Sequence, residues 1–136
     1  MKKIIFVTAF IIMAGIAYGQ TLQKGNVVRV HVYTINLDPD VTMNQYLEVW
    51  ANKLAPALEE NSEVKYFIIK GIQGECENCF GDMWIFESKA VQDKYFKEDG
   101  TLTKTGQEVQ EKIQPELDEL ARLGTSTQTY TDWIVQ

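Results

Sequence analysis

Positions 27–37, Val-Val-Arg-Val-His-Val-Tyr-Thr-Ile-Asn-Leu, alternate so regularly that they constrain the whole chain. Val28, Val30 and Val32 fall on one parity and Arg29, His31 and Tyr33 on the other, the two-residue period of a strand with two unlike faces. Asp38-Pro39-Asp40 ends this strand. From Thr42 the period changes: Met43, Tyr46, Leu47, Trp50, Leu54 and Leu58 recur at three- and four-residue spacing, one face of a helix. Pro56 falls late in that helix and is expected to kink or end it, since it lacks the N–H donor. After Asn61-Ser62, Val64 to Lys70 reads as a second strand and Asp82 to Glu87 as a third. A second helical region opens at Ser88, a suitable N-cap, breaks at Asp99-Gly100-Thr101, resumes near Gly106 and stops at Gly124, with Pro115 inside it. Tyr130 to Gln136 reads as a last strand, preceded by the polar stretch 125–129.

The order β-α-β-β-α-β predicts an α+β fold of the ferredoxin-like, split βαβ type: a four-stranded antiparallel sheet with helices on one face. The valine parity of the first strand is expected to face those helices. The opposite parity, with Tyr33, Phe67, Ile69, Trp84 and Phe86, would then form an open aromatic face. A patch of that kind demands a cover, so a homodimer closed through the face carrying His31, Tyr33, Phe67, Trp84 and Phe86 is expected, the alternative being that the helical region from Ser88 to Leu123 covers part of that face within one chain.

Ahead of the strand lies a leader. Met1-Lys2-Lys3 is a short positive region, Ile4 to Ile16 is nearly unbroken apolar sequence, and Ala17-Tyr18-Gly19 places small residues before Gln20. This is the pattern of a signal peptide over 1–19, leaving 20–136 as a single domain in a periplasm or outside the cell. The apolar run is shorter than the roughly 20 residues a membrane-spanning helix needs, so no membrane span is expected. The whole chain carries 13 Lys and Arg against 19 Asp and Glu, a net charge of −6, and loss of Lys2 and Lys3 makes it more acidic. Such a surface argues against nucleic acid as a partner.

Export decides how Cys76 and Cys79 are read. They are the chain's two cysteines, in Gly-Glu-Cys-Glu-Asn-Cys-Phe-Gly, and an oxidising compartment favours a disulfide between them. A redox-active CxxC is the alternative. Against it stand the strand-like segment that follows, where a thioredoxin-type site has a helix, and two flanking glutamates that raise a thiol pKa. Free thiols, or a partial metal site lacking its second pair of ligands, remain as further readings.

The element order and aromatic face over roughly 27–136 resemble the dimeric alpha-beta barrel superfamily, which includes small monooxygenases of the antibiotic-biosynthesis type and stress-responsive barrels. The resemblance rests on pattern, with no catalytic signature matched residue by residue. It implies a homodimer and a pocket between sheet and helices.

Few residues offer chemistry. His31 is the chain's only histidine. It reads either as a hydrogen-bonded structural residue or as a general base, with Asp132 as its orienting carboxylate if the last strand lies beside the first. Tyr33, Trp84, Phe86 and Trp133 are candidate ligand-stacking residues whose plainer reading is core or interface. The acidic residues Glu108, Glu111, Glu116, Asp118 and Glu119 read as a wet helix face. No metal site and no cofactor is expected. The sequence thus supports an exported dimer that binds a small hydrophobic or aromatic molecule. The alternatives are a cofactor-independent oxygenase or isomerase using His31, and a CxxC redox protein.

Overall fold

The computed structural model describes residues 22–77 and 79–136. The leader reading of 1–19, with cleavage before Gln20, lies outside them. β1 (Val27–Leu37), β2 (Val64–Lys70), β3 (Phe80–Phe86) and β4 (Gly124–Ile134) form one antiparallel sheet in the order β2-β3-β1-β4. This is the split βαβ arrangement that the alternation of periods predicts. β4 begins earlier than expected, because the stretch 125–129 pairs with β1 as a strand along its whole length. The three threonines of that stretch are β-branched strand formers on an edge, not a linker.

The helices follow their sequence signals closely. α1 (Met43–Val49) starts with a capping box in which Thr42 and Gln45 satisfy each other's backbone N–H groups, as such pairs do at helix starts. A π-helical turn, Trp50–Leu54, then widens the helix before α2 (Ala55–Asn61). Pro56 therefore sits in the first turn of α2, where the missing donor costs nothing, and the expected kink is replaced by a π-bulge. Ser88 caps α3 (Lys89–Gln92) by accepting from the Val91 amide. α4 (Lys104–Lys112) ends at Ile113, and Pro115 lies in the first turn of α5 (Gln114–Ala121). Both prolines thus mark helix starts.

Tyr46, Trp50, Leu54, Leu58, Tyr66 and Ile113 form the main core, where α1, α2 and the start of α5 meet the sheet. A second cluster joins Val27, Val64 and Phe86 to Tyr95.

The strand faces are the reverse of the expected ones. Residues opposite each other in an antiparallel pair share a face, and the registers align Tyr66, Trp84, Arg29 and Asp132 in one row across the sheet and Ile68, Asp82, His31 and Tyr130 in the next. Both rows face the helices. Val28, Val30 and Val32, with Met83, Ile85, Phe67, Ile69 and Trp133, occupy the open face. Of the aromatics expected there, Tyr33, Trp84 and Phe86 are inside the chain and only Phe67 is outside. The reason lies in partners from other strands: Arg29 and His31 find carboxylates there, so the polar parity can be buried at little cost, while the valine parity is left to the open side.

Cys76 and Cys79 are joined in a disulfide, with 5.5 Å between their Cα atoms. It closes a tight loop at the β2–β3 connection, held by the Gly71 amide donating to the Cys79 carbonyl at 2.8 Å. A side chain at Gly71 would run into the Cys76 carbonyl, so the loop packs only on a glycine. β3 begins directly after Cys79, so a strand follows the sulfurs where a thioredoxin-type site has a helix. Because the closed loop is short, replacing both cysteines by serine is expected to cost only about 1–2 kcal/mol, measured by denaturant unfolding of the oxidised protein and the double variant.

Candidate functional site

The site is built around a carboxylate that the sheet buries completely. Asp82 is 0% exposed. Its Oδ1 lies 2.6 Å from His31 Nδ1, and its Oδ2 accepts from the hydroxyls of Tyr33 and Tyr66, each at 2.7 Å. Tyr66 in turn accepts from Trp50 Nε1 at 2.5 Å. The register explains the assembly. Asp82 stands directly opposite His31 on β1, and Tyr33 and Tyr66 reach it from one row along their own strands.

A carboxylate only accepts, so His31 donates from Nδ1, and the neutral ring then carries its lone pair at Nε2. Among the described residues Nε2 has no hydrogen-bond partner. The His31 ring is held between Tyr33, Trp84 and Tyr130 at centroid distances of 5.9, 5.6 and 5.7 Å. Burial, and after it the Asp82 charge, pushes the hydroxyls of Tyr33 and Tyr66 far above the ordinary tyrosine range. Both stay protonated as donors.

His31, Tyr33, Trp50, Tyr66, Asp82 and Trp84 line a cavity of about 480 Å³ between the sheet and the helices. Phe86, Phe96 and the apolar faces of α4 and α5 complete its walls, with Ser126 and Gln128 of β4 at one side. It is a largely apolar, aromatic chamber with a single histidine and a set of convergent polar groups from Asp82, the tyrosines, Ser126 and Gln128, the usual make-up of a small-molecule site.

Asp132 does lie on the strand beside β1, as expected, but its partner is Arg29. The guanidinium bonds it through Nε at 2.7 Å and Nη2 at 2.8 Å, so the orienting carboxylate of His31 is Asp82 instead. Burial opposes ionisation of Asp132, and the Arg29 hydrogen bonds and charge outweigh it, holding its carboxyl below the usual range. Arg29 itself is clamped between the rings of Phe96, 3.9 Å away, and Tyr130, 4.4 Å away. Of the candidate stacking residues, Tyr33, Trp84 and Phe86 line the cavity, and Trp133, 60% exposed, belongs to the open face. Asp82 carried one signal in the sequence: it falls on the same parity as Phe80, Trp84 and Phe86, a lone carboxylate in an aromatic stripe. Among the described residues no group of three or more His, Cys, Asp and Glu side chains is placed to hold a metal ion. No helix among them is long and apolar enough to cross a membrane.

No protein-family model matches the chain, and no curated protein matches it. Solved structures do. SnoaB, a cofactor-independent oxygenase from Streptomyces nogalater, is 12% identical with a TM-score of 0.50, and the match covers 82% of this chain and 94% of that one. A dimeric protein of unknown function and ferredoxin-like fold from Bacteroides fragilis is 14% identical with a TM-score of 0.48, over 82% of this chain and 98% of that one. At such identity the likeness to SnoaB is one of fold. The shared fold is the ferredoxin-like α+β fold, and no family is identified.

The two tyrosines make a prediction about alkali. Their folded pKa values lie above the unfolded value of about 10, so their contribution to stability is complete below that pH and is lost as pH rises toward the folded values. Stability is expected to fall above pH ~10 by up to about 1.4 kcal/mol per pH unit for each of the two. Urea unfolding at stepped alkaline pH checks this, and the slope should shrink in the Tyr33→Phe, Tyr66→Phe double variant.

Proposed function

We propose that the chain is an enzyme that takes a proton from a small, largely apolar or aromatic molecule bound between sheet and helices, with His31 as general base. The observation that carries this is the contact between His31 Nδ1 and the buried Asp82, at the wall of a largely apolar, aromatic cavity. When Nε2 accepts a proton, the imidazolium forms against a carboxylate already in place, so no group has to reorganise. Tyr33 and Tyr66 hold the other carboxylate oxygen. The aromatic walls keep water away from the resulting anion and favour a flat apolar substrate. SnoaB carries out cofactor-independent oxygenation on this fold, which makes an oxygenase or an isomerase the reaction class that a base of this kind would serve. The chain's own residues provide binding and proton transfer, and the reading invokes no cofactor.

Export and assembly belong to the same proposal. The leader pattern and the disulfide both suit a periplasmic or secreted protein. The open face exposes Val32, Phe67, Ile69 and Trp133, and a second copy meeting it through a twofold axis would cover the same apolar set on both chains. That dimer differs from the one first expected, because His31, Tyr33, Trp84 and Phe86 are roofed by the chain's own helices.

Two measurements test the reading. 1-Tetralone, a two-ring ketone with an exchangeable proton beside its carbonyl, should lose that proton to D2O faster with the protein present. His31→Gln should reduce the acceleration by about 100-fold or more while leaving the circular dichroism unchanged. Equal exchange with and without the histidine would overturn the base assignment. For assembly, sedimentation of the mature chain at micromolar concentration should show a dimer, and Phe67→Asp, a charge on an exposed position that the fold tolerates, should give a folded monomer. A strictly monomeric unmutated chain would end the dimer proposal.

A further inference from the structure

The cavity in front of His31 is walled without a cation. Among its lining residues there is no lysine and no arginine. Arg29, on the same side of the sheet, lines a separate cleft and is tied to Asp132. The one acidic side chain on the wall is Asp82, in a chain of net charge −6. A carboxylate or phosphate brought into this space would lose its water and gain no countercharge, an expensive exchange. A bound molecule therefore has neutral groups to meet, and several of these are already engaged. The hydroxyls of Tyr33 and Tyr66 donate to Asp82, that of Tyr95 serves Glu63, and that of Ser62 donates to the Leu58 carbonyl.

Gln128 is not engaged. Its side chain is exposed and lines the cavity, and among the described residues it has no hydrogen-bond partner. The register fixes its place. On β4, Tyr130 stands opposite His31 and Gln128 opposite Tyr33, which makes Gln128 the diagonal neighbour of His31 on the helix-facing side, a separation that a long side chain spans. Ser126 stands one row farther away, opposite Ile35. Gln110 lines the cavity from α4, on the roof and not on the strand beside His31.

Resting on the reading of His31 as the base, we infer that the Gln128 carboxamide binds the oxygen of the bound molecule through its N–H, and that the cavity takes uncharged ring compounds with a carbonyl or phenolic oxygen in preference to ring hydrocarbons and to ring carboxylates. An oxygen held by Gln128 brings the acidic C–H or O–H next to it toward His31 Nε2. For a ketone, the C–H bond breaks, its proton goes to Nε2, and its electron pair moves onto the carbonyl oxygen as an enolate. The Gln128 N–H then donates to the atom where the charge develops, and return of the proton to carbon restores the ketone. Gln128 is on this account a substrate-binding residue and the determinant of which ring compounds are accepted.

The test compares 1-tetralone, tetralin and 1-naphthoate by titration calorimetry at pH 8 on the mature unmutated chain. The ketone is expected to bind about 3- to 10-fold more tightly than tetralin, the effect of one neutral hydrogen bond, and the carboxylate more weakly than either. Gln128→Met, nearly the same length and without the N–H, changes an exposed position that the fold tolerates. It should bring tetralone down to the level of tetralin, leave tetralin unchanged, and slow the His31-dependent exchange of the tetralone proton. Gln110→Ala, on the opposite wall, should keep the preference for the ketone. Equal binding of ketone and hydrocarbon by the unmutated chain would overturn the inference, as would tighter binding of the naphthoate. So would a Gln128→Met chain that keeps the preference or loses both molecules alike, or a Gln110→Ala chain that erases it. If any of these is seen while exchange still depends on His31, the base assignment stands and only the role of Gln128 falls. If none of the three molecules binds, both fall.

Discussion

A carboxylate buried at the centre of a sheet is the constraint on which the rest of this structure depends. Removing Asp82 from water costs several kcal/mol unless it is well hydrogen-bonded, and the chain supplies three donors drawn from two neighbouring strands. His31 and Tyr33 come from β1 and Tyr66 from β2, with Trp50 of the first helical segment bonded behind Tyr66. The network therefore ties three strands and a helix together through one side chain. Half satisfied, it would be worse than an apolar core, so it specifies a single register.

That register determines everything on the other face. Side chains alternate strictly along a strand, so once Arg29, His31 and Tyr33 point at the helices, Val28, Val30 and Val32 must point away. The sheet thereby acquires two unlike sides. One is a polar and aromatic wall with paired charges, roofed by helices. The other is an aliphatic surface on which the described chain leaves Val32, Phe67, Ile69 and Trp133 exposed.

The helical layer supplies the space. The π-turn at Trp50–Leu54 and the break at Ile113 let each proline begin a new helix, so the layer is jointed where it crosses the sheet. Trp50 and Ile113 sit at those joints, and both line the cavity. A continuous helix in either place would carry those side chains in a different direction.

The sequence by itself determined the element order, and with it the fold, because periods of two and of three to four residues are local properties that each segment displays alone. The bounds of β1 and β2, the Ser88 cap and the cysteine clamp were legible for the same reason, whereas the prolines, read as kinks within helices, proved to begin new ones. So was the candidacy of His31, Tyr33, Trp84 and Phe86 as a group on one parity. Which face that parity would take was not legible. Apolar valines point inward by every local rule, and only the arrival of Asp82 on β3 and Asp132 on β4 makes burial of the opposite parity affordable. The exchange of carboxylates, Asp132 to Arg29 and Asp82 to His31, was likewise decided by tertiary structure. Strand register across 51 and 103 residues of chain is set by long-range packing, and no spacing within a segment records it.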